Sequence, residues 1–426
     1  MHNKQTIRSG QHFSFHESPD AKTLAVVFSS RNTRPPKFTF WKTFQQLDCH
    51  TIYFNSPVPE WYRCGIPDIS GGIRGAVKAI QDFAASVGAT RIVTVGSSMG
   101  AYGAHLYGSM AGADHVLAFG FEPLLGVPGG KTEITINEYQ WQYPDISGMR
   151  PKNLSVIYGE MDINDTLGAG LLYQRQKPHI ISLPHAQHDT PDFLARDETF
   201  ANMLSALVAG NPIGPDLSTD GPHLNNDLCK FLWRLNAPLV AKNWKAVDEL
   251  IKQNVTLAEQ SRLAMYMWGV ADYRLNQTDQ SITKFQRIIE TTPLFWEAWQ
   301  SLSASLNRKS DFEAAIEAGL NAIRLRPHRS IAHLHLSHVY DRAGKADEAL
   351  EHALWACRLN WSRDEYRTWL LNASDKAAKP VIEDKDIWIK CYDDNVKLAH
   401  STFGAYDVMQ KLPSKPWPLA QHAIHG

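Results

Sequence analysis

Residues Arg91 to Gly108 read RIVTVGSSMGAYGAHLYG: an apolar run, then Gly96-Ser97-Ser98-Met99-Gly100, then small residues at helical spacing. Ile92 to Val95 has the β-branched, continuously apolar character of a buried strand. Ala101, Gly103 and Ala104 are small enough for the following helix to lie close to its neighbours. Gly96 and Gly100 flank the connection because a chain passing from strand to helix in so few residues has no space for a side chain at either place. Ser98 is thereby lifted clear of the strand, at the head of the helix.

Outward from this stretch, residues 1–210 alternate short apolar runs with helical patterns. Strands are expected at 12–16, 24–29, 50–54, 91–95, 115–121, 154–158 and 179–183, and helices at 72–87, 101–110, 167–174 and 191–209. Continuous Val/Ile/Leu/Phe runs suit strands covered on both faces, so the expected class is α/β with a mostly parallel sheet and helices on both sides. Residues 211–227 contain NPIGPDLSTDGP, a composition that reads as a linker.

Beyond the linker only helical patterns remain, and they repeat every 34 residues from Leu228, Arg262, Trp296 and Ser330. Small residues stand at the eighth position of three units (Gly269, Ser303, Ser337) and at the twentieth (Ser281, Ala315, Ala349), where paired helices must approach closely. Large apolar residues fill the seventh (Trp268, Leu302, Leu336), and Pro293 and Pro327 close two units. The pattern resembles the tetratricopeptide repeat (TPR), a stack of helix hairpins. The resemblance covers residues 228–363. Its first unit diverges, with Arg234 and Leu235 at the seventh and eighth positions. Residues 364–426 are expected to form a helical cap followed by a Pro-rich tail.

Composition excludes several classes. With 43 basic and 44 acidic side chains the formal charge is −1, which gives no footing for nucleic acid or an anionic membrane. MHNKQTIRSGQHFSF has no apolar core of a signal peptide and no span-length apolar run follows, so the expected compartment is the cytoplasm. The five cysteines (Cys49, Cys64, Cys229, Cys357, Cys391) are scattered and without a Cys-x-x-Cys pair, as expected for reduced thiols rather than a zinc site. No cofactor is expected.

Gly-x-Ser-x-Gly between a strand and a helix resembles the nucleophile elbow of the α/β-hydrolase superfamily, and the resemblance spans residues 12–210. It implies a triad in the order Ser, acid, His, met by Ser98, Asp162 in GEMDINDT after a strand, and His188 in LPHAQHDTP after the last strand. Asp165 competes with Asp162, although Asn164-Asp165-Thr166 reads as the cap of the next helix. Glu122, at the end of an earlier strand, is a further acid, and His185 competes with His188. The resemblance also implies an oxyanion hole from the main-chain N–H of Met99 and one from the loop after residue 29, Arg31 or Ser30.

Trp61, Tyr62 and Arg63 in NSPVPEWYRCGIP suit stacking on a sugar or holding an anionic group, or else simply cap the sheet. Residues 123–151, with Tyr139, Trp141 and Tyr143, occupy the place of the superfamily's lid, and their small number points to an open, polar substrate site. In the repeats, Arg274, Arg308 and Arg342 recur at the thirteenth position. They are expected either to line a groove for an acidic or other anionic chain or to satisfy the helix dipole. His335 and His338 have metal-compatible spacing, but with no carboxylate or cysteine beside them no metal is expected.

The expected function is a serine hydrolase acting on an ester or thioester, with a glycan acyl ester as a candidate substrate, recruited by its repeats to a protein partner or polymer. Acyl transfer to a sugar hydroxyl uses the same chemistry. A scaffold with a vestigial hydrolase domain is the alternative. A dinucleotide enzyme, suggested by Gly96, Gly100 and Gly103 with Tyr173 and Lys177, is disfavoured because the glycines do not follow the first strand.

Overall fold

A computed structural model describes residues 4–57, 60–132, 142–195, 198–214, 224–379, 395–396, 399 and 402. The chain divides into two units, Met1–Lys242 and Asn243–Gly426.

The first unit holds β1 (Gln5–Ser9), β2 (Phe13–Glu17), β3 (Thr23–Phe28), α1 (Trp41–Phe44), β4 (His50–Phe54), α2 (Gly72–Ser86), β5 (Arg91–Ser97), α3 (Met99–Ala111), β6 (His115–Phe119), β7 (Leu154–Gly159), α4 (Ile163–Arg175), β8 (His179–Leu183), α5 (Thr190–Leu194), α6 (Thr199–Ala209) and α7 (Asn226–Val240). One sheet runs β1-β2-β4-β3-β5-β6-β7-β8. From β4 to β8 all pairings are parallel, and β1 and β2 add an antiparallel edge. β1 has no counterpart among the expected strands. Its residues QTIRS are exposed throughout, so the edge leaves no apolar pattern in the sequence.

Continuous apolar runs in the central strands follow from two buried faces. Leu24, Val26 and Phe28 enter one core with Ile80 of α2 and Leu106 of α3. Ala25 and Val27 alternate into the other, with Leu204 and Leu207 of α6. Period two therefore survives as a division between two cores rather than between core and water.

The second unit holds α8 (Trp244–Lys252), α9 (Val255–Ala258), α10 (Arg262–Arg274), α11 (Thr278–Thr291), α12 (Trp296–Arg308), α13 (Phe312–Leu325), α14 (Ser330–Arg342), α15 (Ala346–Leu359) and α16 (Asp364–Lys376). Three packed pairs, α10/α11, α12/α13 and α14/α15, begin at Arg262, Trp296 and Ser330, in register with the repeat. α16 begins at Asp364, one further period on. The small eighth and twentieth residues meet: the Ser303 hydroxyl donates to the Ala315 carbonyl at 2.6 Å and Ser337 to that of Ala349 at 2.5 Å.

The boundary departs from the expectation. α7, read as opening the first repeat, packs on α4 in the first unit, so the division falls at 242/243 and not within residues 211–227. Phe231 and Leu232 of α7 are buried, as a helix completing a domain requires, and the Asn236 amide donates to the Pro128 carbonyl at 2.9 Å. Residues 215–223 of the expected linker lie outside the described residues. Among the described residues no helix is long and apolar enough to cross a membrane.

A buried histidine pair in the repeats carries a pH prediction. His333 Nε2 faces the Pro327 carbonyl at 2.9 Å and must donate to it, so its Nδ1 accepts from His352 Nδ1–H at 3.1 Å. Burial pulls His333 down to about 4, and burial together with His333 pulls His352 to about 3. Unfolded imidazoles take protons near 6.5, so stability is full above that pH and falls as pH drops toward 4, by up to about 2.7 kcal/mol per pH unit for two protons. Urea unfolding of the repeats should show a lower midpoint at pH 5 than at pH 7.5, with less difference in His352→Phe. Equal midpoints in the wild type would refute this.

Candidate active site

β5 ends at Ser97, and α3 starts at Met99. Ser98 between them has φ 56° and ψ −120°, a conformation that L-residues rarely hold and that costs about 1–3 kcal/mol when the surroundings impose it. What imposes it is the pair of glycines. A Cβ on Gly96 would sit 2.1 Å from the Gly100 carbonyl oxygen, and one on Gly100 would sit 2.2 Å from that of Phe28. The turn thus touches its own backbone and the end of β3.

Four polar side chains reach this point from successive strands. Ser98 follows β5, Glu122 follows β6, Asp165 lies in the first turn of α4 after β7, and His188 follows β8. Ser98 Oγ lies 2.8 Å from His188 Nε2, and His188 Nδ1 lies 2.6 Å from Asp165 Oδ1. A carboxylate can only accept, so Nδ1 carries a proton, and in the neutral imidazole Nε2 receives the serine O–H.

The acid is the first correction. Asp162, expected to orient the histidine, is the N-cap of α4: its Oδ1 accepts the N–H groups of Asn164 at 2.9 Å and Asp165 at 3.1 Å. The helix begins after Asp162 rather than after Asp165, which exchanges the roles read from the sequence. Asp162-x-x-Asp165 is itself an N-terminal signature, a cap followed three residues later by an acid, and weighting it would have favoured Asp165. The second candidate histidine, His185, stacks on Phe193 with ring centroids 6.3 Å apart.

Electrostatics tie the group together. Asp165 is fully buried, which lifts its carboxyl above the ordinary range. Burial opposes the His188 imidazolium, but the adjoining Asp165 carboxylate outweighs it and raises His188 to about 9. Glu122 is 4% exposed and is pushed up to about 7, chiefly by burial, while both its oxygens face the Lys131 N–H at 3.2 and 3.3 Å. Lys131 Nζ stands 3.9 Å from Asp162.

Asp162, Asp165 and His188 also lie close enough to suggest a metal cluster, with ligand atoms within 4.8 Å of one another. Two ligands sharing a tetrahedral zinc stand roughly 3.4 Å apart. The 2.6 Å between His188 and Asp165 is a hydrogen bond with no room for an ion, and the other ring nitrogen faces Ser98.

Main-chain donors around Ser98 can be sorted. Its own N–H goes to the Phe119 carbonyl at 2.8 Å, and that of Ser30 to Thr39 Oγ1 at 2.9 Å. Of the two donors expected in the loop after β3, the Ser30 N–H is therefore committed elsewhere. Gly100 packed on Phe28 holds the end of β3 and the head of α3 together.

Trp61, Tyr62 and Arg63 are not substrate-facing: they are 1%, 0% and 3% exposed. The Tyr62 hydroxyl donates to the Ser29 carbonyl at 2.9 Å, and its ring meets Phe28 edge-on at 5.2 Å. Tyr62 thereby braces the ends of β3 and β4, a role its aromatic ring serves as well as it would serve sugar stacking. Of the expected lid, Tyr139 and Trp141 lie outside the described residues. Tyr143 is exposed, and its carbonyl accepts the Tyr102 hydroxyl.

The arginines of the repeats are corrected in part. Arg308 lies over the Tyr273 ring at 3.6 Å and donates to the Tyr273 carbonyl and to Asn276. Arg342 donates to the Asn307 carbonyl at 2.6 Å and its side chain at 2.8 Å. Each guanidinium therefore binds the carbonyl end of the preceding unit's first helix, where a cation also meets the negative end of the dipole. Arg274 lines a cavity of about 310 Å³ with Tyr266, Tyr273, Trp296 and Glu297. His335 faces Ser303 Oγ at 3.1 Å and His338 packs on Trp369 at 3.8 Å, so the two do not share a ligand position.

No protein-family model matches this chain, and no curated protein does. Among solved structures it is similar to the first TPR of Spaghetti (RPAP3) bound to HSP90 peptide SRMEEVD, at 16% identity over 28% of this chain and 96% of that one, with a TM-score of 0.27. It is similar to MamA from Desulfovibrio magneticus RS-1 at 15% identity over 42% and 98%, TM-score 0.34. It is similar also to YrrB, a TPR protein with an unusual peptide-binding site, at 15% over 43% and 88%, TM-score 0.32. The helical repeats of this chain are established by their own packed pairs and 34-residue register.

Proposed function

We propose that the first unit is an α/β-hydrolase-like serine hydrolase that cleaves an ester or thioester. The observation carrying this reading is the Ser98–His188–Asp165 relay on a serine held at positive φ. Ser98 Oγ attacks the acyl carbonyl as His188 Nε2 takes its proton. The Met99 and Arg31 N–H groups receive the oxyanion. The same Nε2–H then protonates the departing alcohol or thiol, leaving the acyl group on Ser98. Water, activated by His188, completes hydrolysis. A sugar hydroxyl in its place would make the protein an acyltransferase. Asp165 keeps the imidazole tautomer and stabilises the cation formed in each half-reaction.

The repeats recruit a protein partner or a polymeric substrate, a role supported by the aromatic cavity beside Arg274. They also support a second reading, in which the whole chain is a non-catalytic interaction scaffold.

Labelling of the folded protein by a fluorophosphonate probe decides between them, since the probe requires an activated serine. The expected result is one labelled site, abolished in Ser98→Ala. Wild-type protein that folds and takes no label would leave the scaffold reading standing. A panel of acyl esters of increasing chain length would then define the acyl group.

A further inference from the structure

The strands that deliver Ser98, Asp165 and His188 at one end of the sheet begin at the other, and there the first unit has a concavity of about 500 Å³. It lies between the starts of β6, β7 and β8 and the turn after α4. In its wall, His115 Nε2 and His179 Nδ1 converge on the buried Ser155 hydroxyl at 2.9 and 3.4 Å. On its exposed rim stand Arg150, Lys152 and Lys177.

The charge of this cavity is one-sided, because none of its lining residues is an acid. Asp114 beside it bonds Lys152 at 2.8 Å and the Ile92 N–H at 2.9 Å, and so balances one cation. Arg150 donates to the Arg175 carbonyl at 3.2 Å, a neutral acceptor that positions the guanidinium without cancelling its charge. Arg91, behind the wall, likewise reaches a carbonyl, that of Leu207, at 3.5 Å. Burial first, then Arg91, holds His115 down to about 4, so at neutral pH it offers hydrogen bonds without adding charge. Three permanent cations therefore line the cavity, and one of them, Lys152, is paired with a carboxylate. Such a field lowers the free energy of an anion and is costly when the site holds none.

We infer that this cavity binds a phosphorylated small molecule, with Arg150 and Lys177 as the principal phosphate partners and the His115–Ser155–His179 group offering hydrogen bonds beside them. A phosphate's several acceptor oxygens suit a guanidinium, an ammonium and neutral donors arranged around one space, which a single carboxylate would not fill. The volume is that of a site for one small ligand. His115 in its wall pairs with Val93, five residues and roughly 16 Å along β5 from Ser98, so the site is distinct from the reaction centre and does not depend on the hydrolase reading.

Calorimetric titration of the full chain with inorganic pyrophosphate at low ionic strength, repeated with inorganic phosphate, tests this. The expected result is saturable binding at one site, weakened at least tenfold in Arg150→Glu/Lys177→Glu and unchanged in Lys78→Glu, a charge reversal on α2. Stronger binding of pyrophosphate than phosphate would point to a diphosphate-bearing ligand; equal binding would point to a monophosphate. Should the double reversal fail to fold, Arg150→Gln/Lys177→Gln serves in its place. No saturable heat in the wild type, or undiminished binding in the folded double variant, would overturn the inference.

Discussion

Asp165→Asn is expected to lower kcat/KM for a reactive ester by about 10⁴-fold, whereas Asp162→Asn should leave it within a few-fold of wild type. The contrast follows from what each carboxylate does. Asp165 accepts the Nδ1 proton of His188 at 2.6 Å inside the protein, where an amide can present its N–H₂ group to the ring and favour the wrong tautomer. Asp162 accepts two N–H groups at the head of α4, and asparagine caps a helix as well as aspartate does. A second readout separates catalysis from stability. His188 must be neutral to accept the serine proton, so wild-type activity rises with pH through its pKa of about 9. Removing the Asp165 charge takes away what raises that value, and the rising limb in Asp165→Asn should move to lower pH. A greater loss in Asp162→Asn than in Asp165→Asn would return the acid's role to Asp162 and refute the relay described above.

Gly96→Ala is expected to destabilise the first unit by about 3 kcal/mol or more, while Gly148→Ala should be neutral or slightly stabilising. The added methyl would lie 2.1 Å from the Gly100 carbonyl oxygen and 2.7 Å from the Ala101 nitrogen. These are main-chain atoms, and the helix head cannot retreat because Gly100 is itself pressed against Phe28. At Gly148 a Cβ meets nothing within 4 Å, and substitution only restricts the unfolded chain. Thermal unfolding followed by circular dichroism would read this, with the transition of the helical repeats as an internal reference. Any Gly96→Ala protein that folds must have shifted the turn, so it should also lose fluorophosphonate labelling. A wild-type midpoint with wild-type labelling would mean the turn is looser than these distances imply.

Much of the architecture could be read in advance because it depends on neighbours within a few residues. The run Leu24–Phe28 is apolar at every step because both faces of β3 are covered. Small residues every 34 positions mark where α12 meets α13 and α14 meets α15. β1 escaped notice because a solvent-exposed edge strand obeys no apolar rule. The apolar spacing of α7 shows that one side is buried and does not show against what, so the 34-residue register alone places it with the repeats.

Local spacing in the sequence by itself determined the α/β alternation, the repeat register, and the serine turn with a histidine after the last strand. Only the tertiary structure decided which acid His188 faces, that Trp61, Tyr62 and Arg63 are buried, and that Arg308 and Arg342 hold consecutive repeats together. The physical reason is range. Periodicity and turn chemistry act over one or two helical turns. A hydrogen bond between residues 23 apart, such as His188 to Asp165, depends on where two strands and a helix start deliver their side chains, and a one-turn difference in the start of α4 exchanges one carboxylate for another.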